Sequence, residues 1–587
     1  MKINRLYTKI TPDPFADQHY VPRVSVLHGT SNRSMTITAP SEWSQVAVDI
    51  LAQKYMRKTG VLQPDGTTGG ETDARQVFRR LAECWTSWGR QEGYFDTDED
   101  ATAFCDEMQY MLAHQIGAPN SPQWFNTGLH LAYGIEGPSQ GLWRWDPHTK
   151  STQQVPHAYP FPSASACFIQ SVEDNLINER GIMDLWSREA RLFKYGSGSG
   201  TNFSNLRGRG ETLSGGGTSS GLMSWLKIGD SAAGAIKSGG TTRRAAKMVI
   251  LNIDHPDIEA FINLKVQEDQ KVAALMVGSH LCATHLNRII QATWIKEEDR
   301  EFIQPNPKFN SALNEAIRSA RLVRIPETYI QRALSFAKQG DRSFAFSVYD
   351  LGWEGEAYQS VTGQNANNSV RITKQFLDAV TSDGTWSLLN RTDGQVNKVV
   401  RARDLWDQIC IAAWQCADPG IQYDDIINDW HTTPGHGRIN GSNPCSEYLS
   451  NDDTACNLAS LNLVRFLKPD GSVDLYAFEH AIYLWTITLD ITVTMAAYPS
   501  QAIAERTARL RQLGLGYANL GALLMRLGIP YDSPKARAIA AAVTAIMSAC
   551  AYRTSSLMAK QLGPFEGFET NRMSMLRVIR NHRRTVL

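Results

Sequence analysis

Along the first 160 residues, apolar positions recur at the spacing of a helix. In "SEWSQVAVDILAQKYMRKTGV" (41–61) and "ETDARQVFRRLAECWTSWGRQEGYF" (71–95) they return every three or four residues, and the second segment opens on acidic residues suited to a helix N-terminus. The turn-rich "PDGTTGGE" separates them. The pattern predicts a mainly helical region over 1–160.

From residue 161 the texture changes. Short apolar runs such as "ACFIQSV" (166–172) and "AAKMVILNID" (245–254) alternate with helical stretches such as "GIMDLWSREARLFKYG" (181–196) and "LYAFEHAIYLWTITLDITVTMAAY" (475–498). Continuous short apolar runs between helices are what buried parallel strands look like, so 161–587 is expected to form an α/β core. No internal repeat of fixed period is evident.

Composition narrows the function. Lysine plus arginine and aspartate plus glutamate both total 59, so the chain carries no electrostatic footprint for a nucleic-acid polymer or an anionic membrane. No apolar run approaches the ~20 residues of a membrane helix, and the N-terminus is polar. Nine scattered cysteines, an odd number, fit a reducing, cytoplasmic setting, where a cysteine cluster is catalytic or metal-binding more often than structural.

Three regions are candidates for chemistry. The first is glycine-rich: "KYGSGSGTNFSNLRGRG" (194–210), "TLSGGGTSSGLMSW" (212–225) and "IKSGGTTRRAAKM" (236–248). Glycines allow close backbone approach to an anion and the neighbouring Ser, Thr, Lys and Arg supply donors, although neither GxGxxG nor a Walker A lysine is present. The second is "DWHTTPG" (429–435), one position away from the DxHxxG pattern in which histidine ligates cobalt. His431 therefore reads as a structural residue.

The third is "NPCSEYLSNDDTACNL" (443–458). Two thiols eleven positions apart with no paired histidine do not make a zinc pattern. Small buried cysteines or a thiol nucleophile with a distant histidine remain open. One-electron chemistry fits better. A thiyl radical takes a hydrogen atom reversibly, a nearby carboxylate acts as base, and a thiol pair supplies two electrons.

"NPCSE" with "ACNLASLNL", "ACFIQSVEDN" (166–175), "NSPQWFNTG" (120–128) and "SGGTTRRAAK" (238–247) closely resembles the adenosylcobalamin-dependent, class II ribonucleotide reductases. The likeness runs from "ILAQKYMRKTGV" (50–61) to "MLRVIRNHRR" (575–584). It implies a ten-stranded α/β barrel with a finger loop, an N-terminal helical lobe and adenosylcobalamin as cofactor. Cys445 would carry the radical, Glu447 would be the base and Asn443 would bond the substrate, while Cys167 and Cys456 would be the reducing pair.

The resemblance also implies substrate contacts at Ser121, Ala166 and Gly198. A deoxynucleotide effector would be held by Lys194, Arg207 and the neighbourhood of Asn175, where relatives often have aspartate, with Gly239, Gly240, Arg243 and Arg244 in the loops that relay its identity. The substrate would be a ribonucleoside di- or triphosphate, the external reductant of thioredoxin type, and the assembly a homodimer. Family barrels continue to a PTGT-type phosphate loop and a CxxC tail. This chain has neither, which leads to the expectation of an incomplete barrel finished by a second polypeptide. A glycyl-radical enzyme of the same barrel type and an inactive nucleotide-binding regulator are the competing readings. All five expected catalytic side chains are present, which disfavours the regulator.

Overall fold

The computed structural model describes residues 1–9, 13–27, 33–63, 65–238, 243–298, 300–350, 352 and 355–586. It divides the chain into two compact units, one comprising Met1–Ile258, Asn365–Arg403 and Gly420–Leu587, the other Glu259–Gln364 and Asp404–Pro419. The boundary expected near residue 160 falls inside the first unit.

In that unit an antiparallel strand pair, Tyr20–Leu27 with Arg33–Pro40, precedes the helices. Helix α1 (Ala74–Gln91) opens with a capping box between Asp73 and Gln76, which satisfies backbone donors that the first turn leaves unpaired. Its inward face buries Val77, Phe78, Leu81 and Trp85. Helix α2 (Asp98–Ala113) carries three acidic residues in its first turn. The helix predicted over 41–61 is confined to Gln45–Ile50 and a π-helical turn at Leu51–Tyr55.

The centre of the unit is an eight-stranded sheet. Its elements, in chain order, are β1 (Gly117–Pro119), the short helix α3 (Ser121–Asn126), β2 (Cys167–Gln170), α4 (Ile182–Lys194), β3 (Gly198–Asn202), α5 (Leu222–Ala235), β4 (Ala246–Asn252), β5 (Ala366–Ile372), β6 (Gly420–Tyr423), β7 (Thr454–Asn462), α6 (Leu475–Met495), α7 (Gln501–Leu510) and β8 (Leu513–Ala518). The strand order is β6-β5-β4-β3-β2-β7-β8, with β1 alongside β7. Strands β2 to β6 are mutually parallel, β7 runs antiparallel to β2 and β1, and β8 is parallel to β7. The mixed α/β sheet agrees with the expected class, but the count among the described residues is eight strands rather than ten.

Strand composition follows burial. Every residue of β2 is buried, and β4 buries Lys247–Leu251, which accounts for their unbroken apolar runs. Lys247 pairs with Glu189 of α4 and its ammonium sits 3.9 Å from the centre of the Trp186 ring, so this buried cation has both a counter-ion and a π face. Helix α6 is buried on all sides from Trp485 to Met495; its threonines return their hydroxyls to the helix's own carbonyls, and Asp490 accepts from Tyr94 and Arg511.

One glycine-rich segment differs from its sequence reading. Residues 198–202 of "GSGSGTN" form β3 in the middle of the sheet rather than a phosphate-cradling turn. The glycines there serve close packing. A Cβ at Gly198 would lie 2.9 Å from Pro444 Cγ, and one at Gly200 would overlap the Ser442 carbonyl oxygen.

The second unit is mainly helical, with a short antiparallel strand pair, Trp294–Glu297 with Arg300–Ile303. The 30-residue helix Leu264–Thr293 packs with Ser311–Leu322 and Glu327–Gln339 around Leu286, Ile289, Ile290, Leu313 and Ile330.

Candidate active site

Residues Gly441–Ser442 and Leu449–Ser450 pair antiparallel and close a hairpin over the loop 443–448. The sequence folds this loop through Asn443. Its backbone carbonyl accepts from Ser446 N at 3.1 Å, and its side-chain Oδ1 accepts from Tyr448 N at 3.0 Å. A short amide can both accept within the loop and donate outside it, which explains asparagine at this position. Ser446 takes the left-handed conformation, φ 64°, to complete the turn. The result is a two-sided loop in which Asn443, Pro444 and Tyr448 are buried, whereas Cys445, Ser446 and Glu447 are exposed.

The other two cysteines of the predicted set lie beneath it. Cys167 of β2 and Cys456 of β7 occupy opposed positions in the antiparallel register, and both are buried. They share an apolar cluster with Ile169 and Tyr448. Asn443 Nδ2 donates to Cys167 Sγ at 3.0 Å, and that thiol donates to Glu447 Oε1 at 3.4 Å. Cys456 Sγ donates to the Asn457 carbonyl at 3.3 Å. All five residues singled out from the sequence therefore belong to one loop and the strand pair below it.

Electrostatics decide what these thiols can do. Burial pushes the Cys167 thiol far above its usual range, and the neighbouring Cys456 and Glu447 push it further. Cys456 is raised in the same way, by burial first and Glu447 second. Both remain protonated S–H groups at neutral pH. A nucleophilic cysteine needs the opposite, a stabilised thiolate. Neutral, opposed thiols are suited to delivering hydrogens and closing a disulfide.

The expected substrate-contact positions lie around this pair. Ala166 packs against the cysteine cluster and donates its N–H to the Cys456 carbonyl at 3.2 Å. Gly198 donates to the Ala166 carbonyl at 2.7 Å and abuts Pro444. Ser121 begins α3 and bonds the Tyr55 hydroxyl at 3.2 Å, while the preceding Asn120 N donates to the Leu458 carbonyl two residues beyond Cys456.

The effector positions are less unified. Arg207 Nε donates to Asp174 Oδ2 at 2.6 Å, so the carboxylate that engages this arginine lies one residue before Asn175. Asn175 Oδ1 accepts from Asn178 N at 3.0 Å. Lys194 donates to Gln140 at 2.7 Å and makes no contact with either. Gly239 and Gly240 lie outside the described residues, and Arg243 and Arg244 form a short strand paired with Lys237 and Ser238.

His431 has the structural role expected of it. Its buried ring donates through Nε2 to the Gly437 carbonyl at 2.9 Å and accepts at Nδ1 from Thr433 N at 3.2 Å. Neither nitrogen is left for a metal.

Residues 165–583 match the family described as the ribonucleotide reductase barrel domain, and residues 28–115 match the class II vitamin B12-dependent ribonucleotide reductases. The chain belongs to the class II ribonucleotide reductases. Vitamin B12-dependent ribonucleotide reductases of Agrobacterium fabrum strain C58 and Bradyrhizobium diazoefficiens are 54% and 51% identical over the whole of this chain, which covers 48% and 49% of their lengths. A vitamin B12-dependent ribonucleoside-diphosphate reductase of Mycobacterium tuberculosis is 29% identical over 90% of the chain. This class II chain thus spans about half the length of the curated relatives it matches. Each relative carries the matching segment within one longer polypeptide, which gives no support to the expected second chain.

Several residues of this site escaped the sequence reading. Asp174 was present in the quoted "ACFIQSVEDN" motif, and Gly200 in "GSGSGTN". Tyr448 lay within the quoted "NPCSEYLSNDDTACNL" and Ser442 just before it, whereas Gln422 carries no local signal because its partners Ser442 and Arg371 are distant in sequence.

Proposed function

We propose that this chain carries the thiyl-radical machinery that reduces ribonucleoside di- or triphosphates to 2′-deoxyribonucleotides, with adenosylcobalamin as cofactor. The observation that carries the reading is the stacking of one exposed thiol, Cys445, and one carboxylate, Glu447, over two buried, opposed and protonated thiols.

The residues fit the cofactor. Cys445 is open to a hydrogen-abstracting group outside the loop, and His431 is already engaged, so cobalt takes no ligand from it. The exposed loop face around Cys445 is where the cofactor would be held. When bound, adenosylcobalamin supplies the one-electron oxidising equivalent that removes the Cys445 thiol hydrogen.

Every other step belongs to the chain. The Cys445 thiyl takes the ribose 3′-hydrogen while Glu447 accepts the proton of the 3′-hydroxyl. The 2′-hydroxyl leaves as water, protonated from the thiol pair. Cys167 and Cys456 then pass their remaining hydrogen equivalent to C2′ and join as a disulfide, Glu447 gives its proton back to the 3′-oxygen, and Cys445 returns its hydrogen to C3′. One C–O bond becomes C–H, two S–H bonds become one S–S bond, and one water is released. Burial keeps the protons on the pair until they are needed.

Ser121, Ala166 and Gly198 would contact the nucleotide. A deoxynucleotide effector would bind near Asp174 and Arg207, in a homodimer, and a thioredoxin-type dithiol would reset the disulfide. Changing Cys445 to Ala should abolish deoxynucleotide formation, followed by chromatography with adenosylcobalamin and dithiothreitol present. Retained turnover would remove the thiyl role.

A further inference from the structure

The loop bearing Cys445 is held from three strands. On one side β3 supplies Gly198 and Gly200, whose missing side chains let Pro444 and Ser442 close in. From β6, Gln422 Nε2 donates to Ser442 Oγ at 2.7 Å, and that hydroxyl donates to the Asn443 carbonyl at 3.0 Å. Gln422 is fixed in turn by the buried Arg371, whose Nη1 donates to its Oε1 at 3.2 Å. These contacts hold the base of the loop.

The third tether reaches its tip. Asn367 of β5 donates from Nδ2 to the Pro444 carbonyl at 2.9 Å. That carbonyl belongs to the peptide bond whose nitrogen is that of Cys445. Proline fixes its own φ, and the peptide bond is planar, so the remaining soft dihedral between Pro444 and Cys445 is ψ of Pro444. Rotation about it swings the Cys445 Cα and its thiol. The bond from Asn367 stops that rotation.

Asn367 is also out of place as a merely structural residue. It is exposed in a strand where Ala366 and all of Asn368–Ile372 are buried, and its side chain bonds a different segment rather than its own sheet.

We propose that Asn367 is a positioning residue for Cys445, acting through the Pro444 carbonyl to hold the thiol where hydrogen transfer is productive. This inference rests on the reading of Cys445 as the radical-bearing thiol. Hydrogen transfer is steeply distance-dependent, and a misplacement of about 1 Å can cost on the order of a hundredfold in rate.

The test uses the active enzyme with adenosylcobalamin and compares Asn367→Asp, Asn367→Ala and Cys445→Ala. Asn367→Asp keeps the shape but turns the donor into an acceptor that repels the Pro444 carbonyl. Both Asn367 variants should lose about tenfold or more in kcat, with KM held within about twofold. Their melting temperatures should stay near that of the parent. Alkylation of Cys445 by iodoacetamide, read by peptide mass spectrometry, should quicken as the tip loosens. Unchanged kcat in Asn367→Asp, a proportional rise in KM, or unchanged Cys445 alkylation would overturn the positioning role. Turnover retained in Cys445→Ala would instead remove the underlying reading of that thiol, so the two failures are distinguishable.

Discussion

The amide of Asn443 donates to the Cys167 sulfur across 3.0 Å while its oxygen caps the loop at Tyr448 N. One side chain thus joins the loop that presents Cys445 to the thiol pair beneath it. Asn443→Asp would replace the donor with a carboxylate facing a buried sulfur, beside Glu447. Turnover should fall by about tenfold or more through the lost hydrogen bond and added repulsion. Steady-state kinetics check this, and parental kcat would sink it.

The raised thiols make stability pH-dependent. The native state keeps protons on Cys167 and Cys456 that the unfolded chain releases above about pH 8.5, so the unfolded state binds fewer protons there and stability falls as pH rises. Below that pH the contribution is fully present. Thermal unfolding between about pH 8 and 10 should show a steeper loss for the parent than for Cys456→Ala. Parallel slopes would refute the assignment.

Gly200→Ala should be costly although alanine suits a strand better than glycine. The new methyl would overlap the Ser442 carbonyl, so either the hairpin or β3 must move. A loss of about 1–3 kcal/mol in denaturant unfolding is expected, with activity falling further than stability explains.

Lys247 and Glu189 test burial of charge. Removing the cation alone, as Lys247→Ala, leaves an unpaired carboxylate in the core and should cost about 3–5 kcal/mol. The double change Lys247→Met with Glu189→Leu should recover most of that. Additive losses in the double variant would contradict the pairing argument.

His431→Gln should leave cobalamin affinity unchanged in a spectrophotometric titration, because both ring nitrogens are already spent on Gly437 and Thr433. It should lower stability by about 1 kcal/mol. A weakened cobalamin complex would restore the cobalt-ligand reading.

The proposed catalytic residues could be singled out because their chemistry is written in residue type. Cys445, Glu447 and Asn443 share five positions of chain, and the motif likeness tied Cys456 to Cys167 before any strand register placed them opposite each other. The buried strands β2 and β4 were visible as apolar runs. Strand β3 was not, because "GSGTN" has no apolar pattern and is shaped by a hairpin some 240 residues later in the chain. The helical second unit also passed unnoticed, since its amphipathic helices look like those that flank a sheet. Asp174 was read past in favour of its neighbour, because only the structure shows which side chain turns toward Arg207.

The opposed cysteines also have a mechanical side. They sit on the one antiparallel junction between the parallel strands β2–β6 and the β7–β8 pair. A disulfide there would close a loop of about 290 residues, which constrains the unfolded chain by about 6 kcal/mol in the loop-entropy model. Each catalytic cycle would therefore staple and release the seam of the sheet. The spent enzyme would be the hardier form, and its reductant would restore a looser one.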